Sequence, residues 1–192
     1  LVEYAWRIPF LFGGVLALLA ILLRHSTEET PKFRELKSET HNKQPLSLYF
    51  RDIITVAKYN ICPAVTFYLV FVFLVTYFNK FAGFDLEMTF LVNTIAVIWL
   101  MILTPLFGLV ADKIGHKKLL IYATIAFALF SYPLLYLISY HTLGLATVAM
   151  LALSVIVAAT FAPLPAIITQ LAPVATRYTS VAFGFNLSAA IF

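Results

Sequence analysis

The 192 residues are 62% hydrophobic and 11% charged, with 18 Phe and 10 Tyr, which excludes a soluble globular domain and requires a polytopic α-helical membrane protein. A net charge of +4 on so apolar a chain reads as topology rather than nucleic-acid binding. The single Cys62 cannot form an internal disulfide, and a small buried role without redox or metal chemistry is expected for it.

The first expected span covers 4–23 and opens Trp6-Arg7-Ile8-Pro9-Phe10. Trp6 and Arg7 suit a membrane interface, and Pro9 is tolerated in a first turn, where its missing N–H costs little. Residues 24–58 change character, with seven cations from Arg24 to Lys58 among four Glu and Asp52. This is expected to be an aqueous linker. Its second part repeats Leu46, Phe50, Ile53, Ile54 and Ala57 at helical spacing, so 46–58 is expected as an amphipathic helix in the interface.

Spans are expected over 61–78 and 88–111. The stretch 119–176 contains no Asp, Glu, Lys or Arg and would extend about 87 Å as one helix, against a hydrocarbon core of about 30 Å. It must therefore reverse, and Tyr140-His141-Thr142 with Gly144 is the break. That gives spans 119–140 and 143–171, the latter kinked in its last third by Pro163 and Pro165. The expected fold is all-α and integral to the membrane, with five full crossings and a truncated sixth beginning near Val181. A start without Met and this short last run make an internal piece of a longer protein the expectation.

Of the 13 Lys and Arg, only Arg7 and Lys80 lie on the side opposite the loops 24–58, 112–118 and 172–180. Those three loops are expected in the cytoplasm. The middle loop follows a patterned turn, Gly108-Leu109-Val110-Ala111-Asp112-Lys113-Ile114-Gly115-His116-Lys117-Lys118. Gly108 is expected to let its helix approach a neighbour, and Asp112 to stabilise a helix N-terminus. Gly115 is expected to take a positive φ, and Lys117 and Lys118 to hold the turn at the cation-preferring face.

This spacing resembles the loop signature of the major facilitator superfamily, Gly-x-x-x-Asp-Arg-x-Gly-Arg-Arg, with Lys113 and His116 in place of two arginines. The run from Trp6 to Phe10, then Glu29-Thr30-Pro31-x-Phe33, is similar to the sixth helix and central loop of its metabolite:proton symporters. That branch includes proline/betaine, shikimate and α-ketoglutarate transporters. The segment from Pro173 through Arg177 to Leu187 resembles the branch's turn before the eleventh helix. The resemblance implies that residues 1–23 end an N-terminal six-helix half, 24–58 link the halves and 59–192 begin the C-terminal half. It also implies transport of a small organic solute across the inner membrane by alternating access, with a proton or sodium as coupling ion, as a monomer and without cofactor.

In the family, charged residues of two cytoplasmic loops form an inner gate. Here Asp112 and Arg177 retain charge, whereas Gln170 stands where the family has Glu. Past Arg7 at the interface, the expected spans contain no Asp, Glu, Lys, Arg or His, so solute contacts are expected from neutral polar and aromatic groups. Tyr68, Tyr77, Asn93, Thr104, Thr160 and Asn186 are the candidates. Thr66 shares a face with Tyr77, Tyr68 with Asn79, and Asn93 with Thr104, by helical periodicity. Each can equally serve packing or bond its own helix backbone. A transport-inactive scaffold or sensor and a membrane-embedded enzyme are the alternatives. The latter would need clustered intramembrane His, Asp or Glu; no metal or catalytic motif is present in the sequence.

Overall fold

The computed structural model describes residues 7–26, 46–140, 142–174 and 176–191. Two units are distinguished, Leu1–Lys43 and Gln44–Phe192. The first contains α1, Ile8–Ser26, whose opening N–H groups, from Phe10 and Leu11, donate to the Arg7 carbonyl at 3.1 Å. This places Pro9 in the first turn, where the sequence expects it.

In the second unit, α2 (Leu46–Tyr68), a π-helical turn (Leu69–Phe73) and α3 (Leu74–Lys80) form one continuous rod. The remaining helices are α4 (Leu86–Ile114), α5 (His116–Ile138), α6 (Leu143–Phe161), α7 (Leu164–Leu171) and α8 (Arg177–Ile191). Among the described residues, four helices are long and apolar enough to cross a membrane: Tyr49–Lys80, Leu86–Ile114, His116–Ile138 and Leu143–Leu171. The described part of the expected first span is a shorter apolar helix, Phe10–Leu23. Its opening residues, like 27–45 of the linker and His141, lie outside the described residues. At 15 residues, α8 is shorter than the roughly 20 of a crossing.

The rod runs unbroken through the expected boundary between the 46–58 helix and the 61–78 span. Off the expected apolar stripe, Asp52, Val56 and Asn60 are buried against α8. There Thr176, Ser180, Gly184 and Ser188 recur every four residues and are also buried. The contact is backbone-close: a Cβ on Gly184 would stand 2.7 Å from the Ile53 carbonyl oxygen and 2.8 Å from Val56 Cβ. Hydrogen bonds join its two ends. Thr176 Oγ1 donates to Asp52 Oδ2 at 2.9 Å. Asn60 Nδ2 donates to Ser188 Oγ at 2.5 Å, and that hydroxyl donates to the Phe185 carbonyl at 2.8 Å. Small residues and interhelical hydrogen bonds are what associate helices where lipid removes the hydrophobic drive.

The main core gathers Val70, Leu74 and Phe78 of the rod, Val92 and Ala96 of α4, Ile138 of α5, and Ala146, Met150, Leu153 and Val157 of α6. The central position of α6 follows from its Ala-rich sequence, which lets neighbours approach from several sides. Its expected kink is present: α6 stops at Phe161 and α7 resumes at Leu164, because Pro163 and Pro165 supply no N–H at the junction. The resulting α7 packs Leu164 and Ile168 on Val56, with Tyr59 and Val181 alongside.

The sequence expects the close approach at Gly108, but a Cβ there would meet nothing within 4 Å. Gly184→Leu is therefore expected to destabilise the full-length protein by about 1–3 kcal/mol through overpacking, and Gly108→Leu by less than about 0.5 kcal/mol, as for an open surface site. Thermal unfolding of the two variants in detergent checks this; equal losses would refute the assignment.

Candidate functional site

The turn between α4 and α5 is a single residue, Gly115, at φ +97°. That is the left-handed region where a Cβ is strained, as expected from the sequence. The turn is seated by Ala111, which packs with Leu119, Ala123 and Ala159. Asp112 does not cap α5, which has no side-chain cap. Its Oδ1 instead lies 3.4 Å from His116 Nε2, four residues on and across the turn. Lys113, Lys117 and Lys118 are exposed.

The second loop is held differently from the first. Gln170, near the end of α7, is exposed. Arg177 Nε donates to the Ala172 carbonyl at 3.2 Å, closing an otherwise open helix end. Asp112 and Arg177, the candidate gate pair, are thus engaged with separate partners and not with each other in this conformation.

Three of the proposed solute contacts bond their own helix. Thr104 donates to Leu100 at 2.7 Å, Thr160 to Val157 at 2.8 Å, and Asn186 to Ala182 at 2.8 Å. Tyr68 is exposed and meets Phe67 edge-on at 6.2 Å. Tyr77 stacks on Phe81 at 5.6 Å. The π turn Leu69–Phe73 lies between Thr66 and Tyr77 and between Tyr68 and Asn79, so uninterrupted α-helical spacing does not apply to either pair. One residue displaced in register rotates a face by about 100°. Asn79 serves the loop between α3 and α4, donating to the Phe84 carbonyl at 3.2 Å.

Asn93 differs from the other candidates. Its Oδ1 is buried and without a partner, and so is Thr89 Oγ1 one turn earlier on α4. Thr89 is 0% exposed. Its hydroxyl makes no bond to its own helix, whereas Thr94, Thr104, Thr124 and Thr147 each donate four residues back. An unmade hydrogen bond at a buried group costs about 1–3 kcal/mol, which sets these two residues apart from the threonines that bond their own helix. Thr89 was legible in the sequence only as position i−4 to Asn93.

The rod carries Arg51, Asp52 and Lys58 ahead of the expected span 61–78, which itself holds no Asp, Glu, Lys, Arg or His. Asp52 is 6% exposed; besides Thr176, its Oδ1 lies 3.9 Å from Arg51 Nε. Lys58 is exposed. The missed signal is the four-residue repeat Asp52, Val56, Asn60, facing an equal repeat of small polar residues in 176–188. Cys62 Sγ lies 3.4 Å from Thr124 Oγ1. No group of three His, Cys, Asp or Glu able to hold a metal occurs among the described residues.

The chain matches the model of the Major Facilitator Superfamily over residues 1–192. It is 24% identical to a proline/betaine transporter of Escherichia coli, over 97% of this chain and 40% of that protein. A glycine betaine/proline/ectoine/pipecolic acid transporter of Dickeya dadantii is 27% identical, over 98% and 40%. A putative proline/betaine transporter of Staphylococcus aureus is 29% identical, over 99% and 42%. The chain thus spans about two fifths of the length of these relatives. No solved structure matches it. With apolar helices of spanning length, the charged glycine turn between two of them and a match along all its residues, the chain belongs to the major facilitator superfamily.

Proposed function

We propose that this chain is part of a secondary active transporter that carries a small organic solute across the inner membrane by alternating access, coupled to protons. In this reading residues 1–23 close an N-terminal helical half. The linker ends where the rod begins at Leu46, and the second unit belongs to the C-terminal half, with the Asp112–Lys118 turn in the cytoplasm. The observation that carries the solute reading is the buried, unpartnered Thr89 and Asn93 pair inside an apolar helix. A transporter needs such groups to exchange water for solute at low cost. The printed names of the relatives favour zwitterionic amines such as proline and betaine.

The full-length protein in proteoliposomes is expected to accumulate proline or glycine betaine, and to do so less when the proton gradient is collapsed. Uptake indifferent to the gradient removes symport, and no uptake of any small organic solute favours a transport-inactive scaffold.

Asn93 Oδ1 lacks a hydrogen-bond donor, which the ammonium of proline offers and the quaternary nitrogen of glycine betaine does not. Asn93→Leu is expected to lower proline uptake about tenfold, equivalent to about 1.4 kcal/mol, and betaine uptake by less than about threefold. Equal losses for both solutes would remove Asn93 from this role.

Single cysteines introduced at Asp85 and Lys117 in the full-length protein are expected to react with an impermeant thiol reagent from opposite faces of the membrane. Labelling of both from one face would overturn the topology.

A further inference from the structure

A cleft of about 250 Å³ opens between α2 and α5. Lys58 and Cys62 line it from α2, and Leu120, Ile121, Thr124 and Ile125 from α5. The contact of Cys62 with Thr124 fixes the register. Two turns separate the rod from α5, so both run in the same direction, and Lys58, one turn before Cys62, lies level with Leu120. Lys117 lies one turn before Ile121, toward the start of α5, about 5 Å closer to the membrane face.

Lys58 makes no ion pair with any described residue, nor do Lys117 and Lys118. Of the nearby carboxylates, Asp112 lies against His116 and Asp52 accepts from Thr176, and neither is within ion-pair distance of these lysines. A Lys on a membrane helix extends its apolar stem along the surface and carries its ammonium toward water. From Lys58 that direction leads to the level of Lys117, where the first N–H groups of α5 also favour anions. The cleft therefore combines unneutralised cations at its rim with a floor of Leu120, Ile121 and Ile125.

We propose that this cleft binds an anionic phospholipid, its phosphate between Lys58 and Lys117 and an acyl chain along Ile121 and Ile125. Charge at the rim selects the headgroup, and the apolar floor selects a lipid over a soluble anion. Basic pockets between helices on the cytoplasmic side recognise headgroups in this way, at about 1 kcal/mol per cation. The site is separate from Thr89 and Asn93, and its occupancy is independent of transport.

Native mass spectrometry of the full-length protein, given phosphatidylglycerol and phosphatidylcholine in equal amounts, tests the assignment without a transport readout. Preferential retention of phosphatidylglycerol is expected. Lys58→Gln and Lys117→Gln should each reduce it about fivefold, the factor corresponding to about 1 kcal/mol. Lys58→Arg should preserve it, and Ile121→Trp, which fills the floor but keeps the charge, should reduce it. Lys80→Gln, at the opposite end of the rod, should change nothing. Equal retention of the two lipids would overturn the proposal, as would an equal effect of Lys80→Gln. So would displacement by an equal concentration of inorganic phosphate, the mark of a free-anion site, or undiminished retention in both Lys58→Gln and Ile121→Trp.

Discussion

The approach of α2 to α8 at Gly184 is the constraint on which the packing around α7 depends. In hydrocarbon, two apolar helices gain little from leaving lipid for each other, so their association needs dispersion at short range and polar groups with no better partner. Gly184 supplies the first by removing the atom that would strike the Ile53 carbonyl and Val56. Asp52 with Thr176, and Asn60 with Ser188, supply the second on either side of it. The same crossing fixes Val56, on which the short α7 rests through Leu164 and Ile168. Two prolines redirect the chain into α7, and the crossing gives the redirected segment a surface to pack on.

Charge at the helix ends is organised around local partners. Asp112 holds His116 across the one-residue turn, and Arg177 caps the carbonyl end after α7. Each contact stiffens its own loop and occupies a group that an inter-loop ion pair would need. A gate formed from Asp112 and Arg177 would require both local contacts to open, so its strength is a competition between nearby and distant partners. Exposed polar and ionic contacts are each worth no more than about 1 kcal/mol, so a second helical half could shift the balance.

Buried polar atoms divide into two kinds in this bundle. Most threonines satisfy themselves by donating to a carbonyl in the preceding turn, which makes them neutral wall material. Thr89 and Asn93 do not, and they sit on the helix that leads into the charged turn. The energetic asymmetry of hydrogen bonding gives this distinction its meaning. A satisfied hydroxyl contributes little, whereas an unsatisfied one costs free energy that a polar occupant can recover. Ser180 Oγ is a third such atom, but it is enclosed in the α2–α8 contact.

Much of the architecture was legible in the residues taken singly. The absence of charge from 119–176 demanded a reversal, Pro163 and Pro165 demanded a kink, and Gly115 demanded a turn with positive φ; the structure has all three. These features depend on how one segment meets its solvent or its own backbone, and composition and spacing record that directly. What the sequence left undecided was register between segments. It marked Gly108 for a close contact made by Gly184, divided the rod at 58–61, and paired Thr66 with Tyr77 across an unforeseen π turn. It also gave Asn93 no priority over Tyr68, Tyr77 or Asn186. Those outcomes depend on which face of each helix meets which neighbour. In a chain where nearly every side chain is apolar, lipid and protein are almost equally good surroundings, so only the three-dimensional fit of backbones and polar partners decides between them.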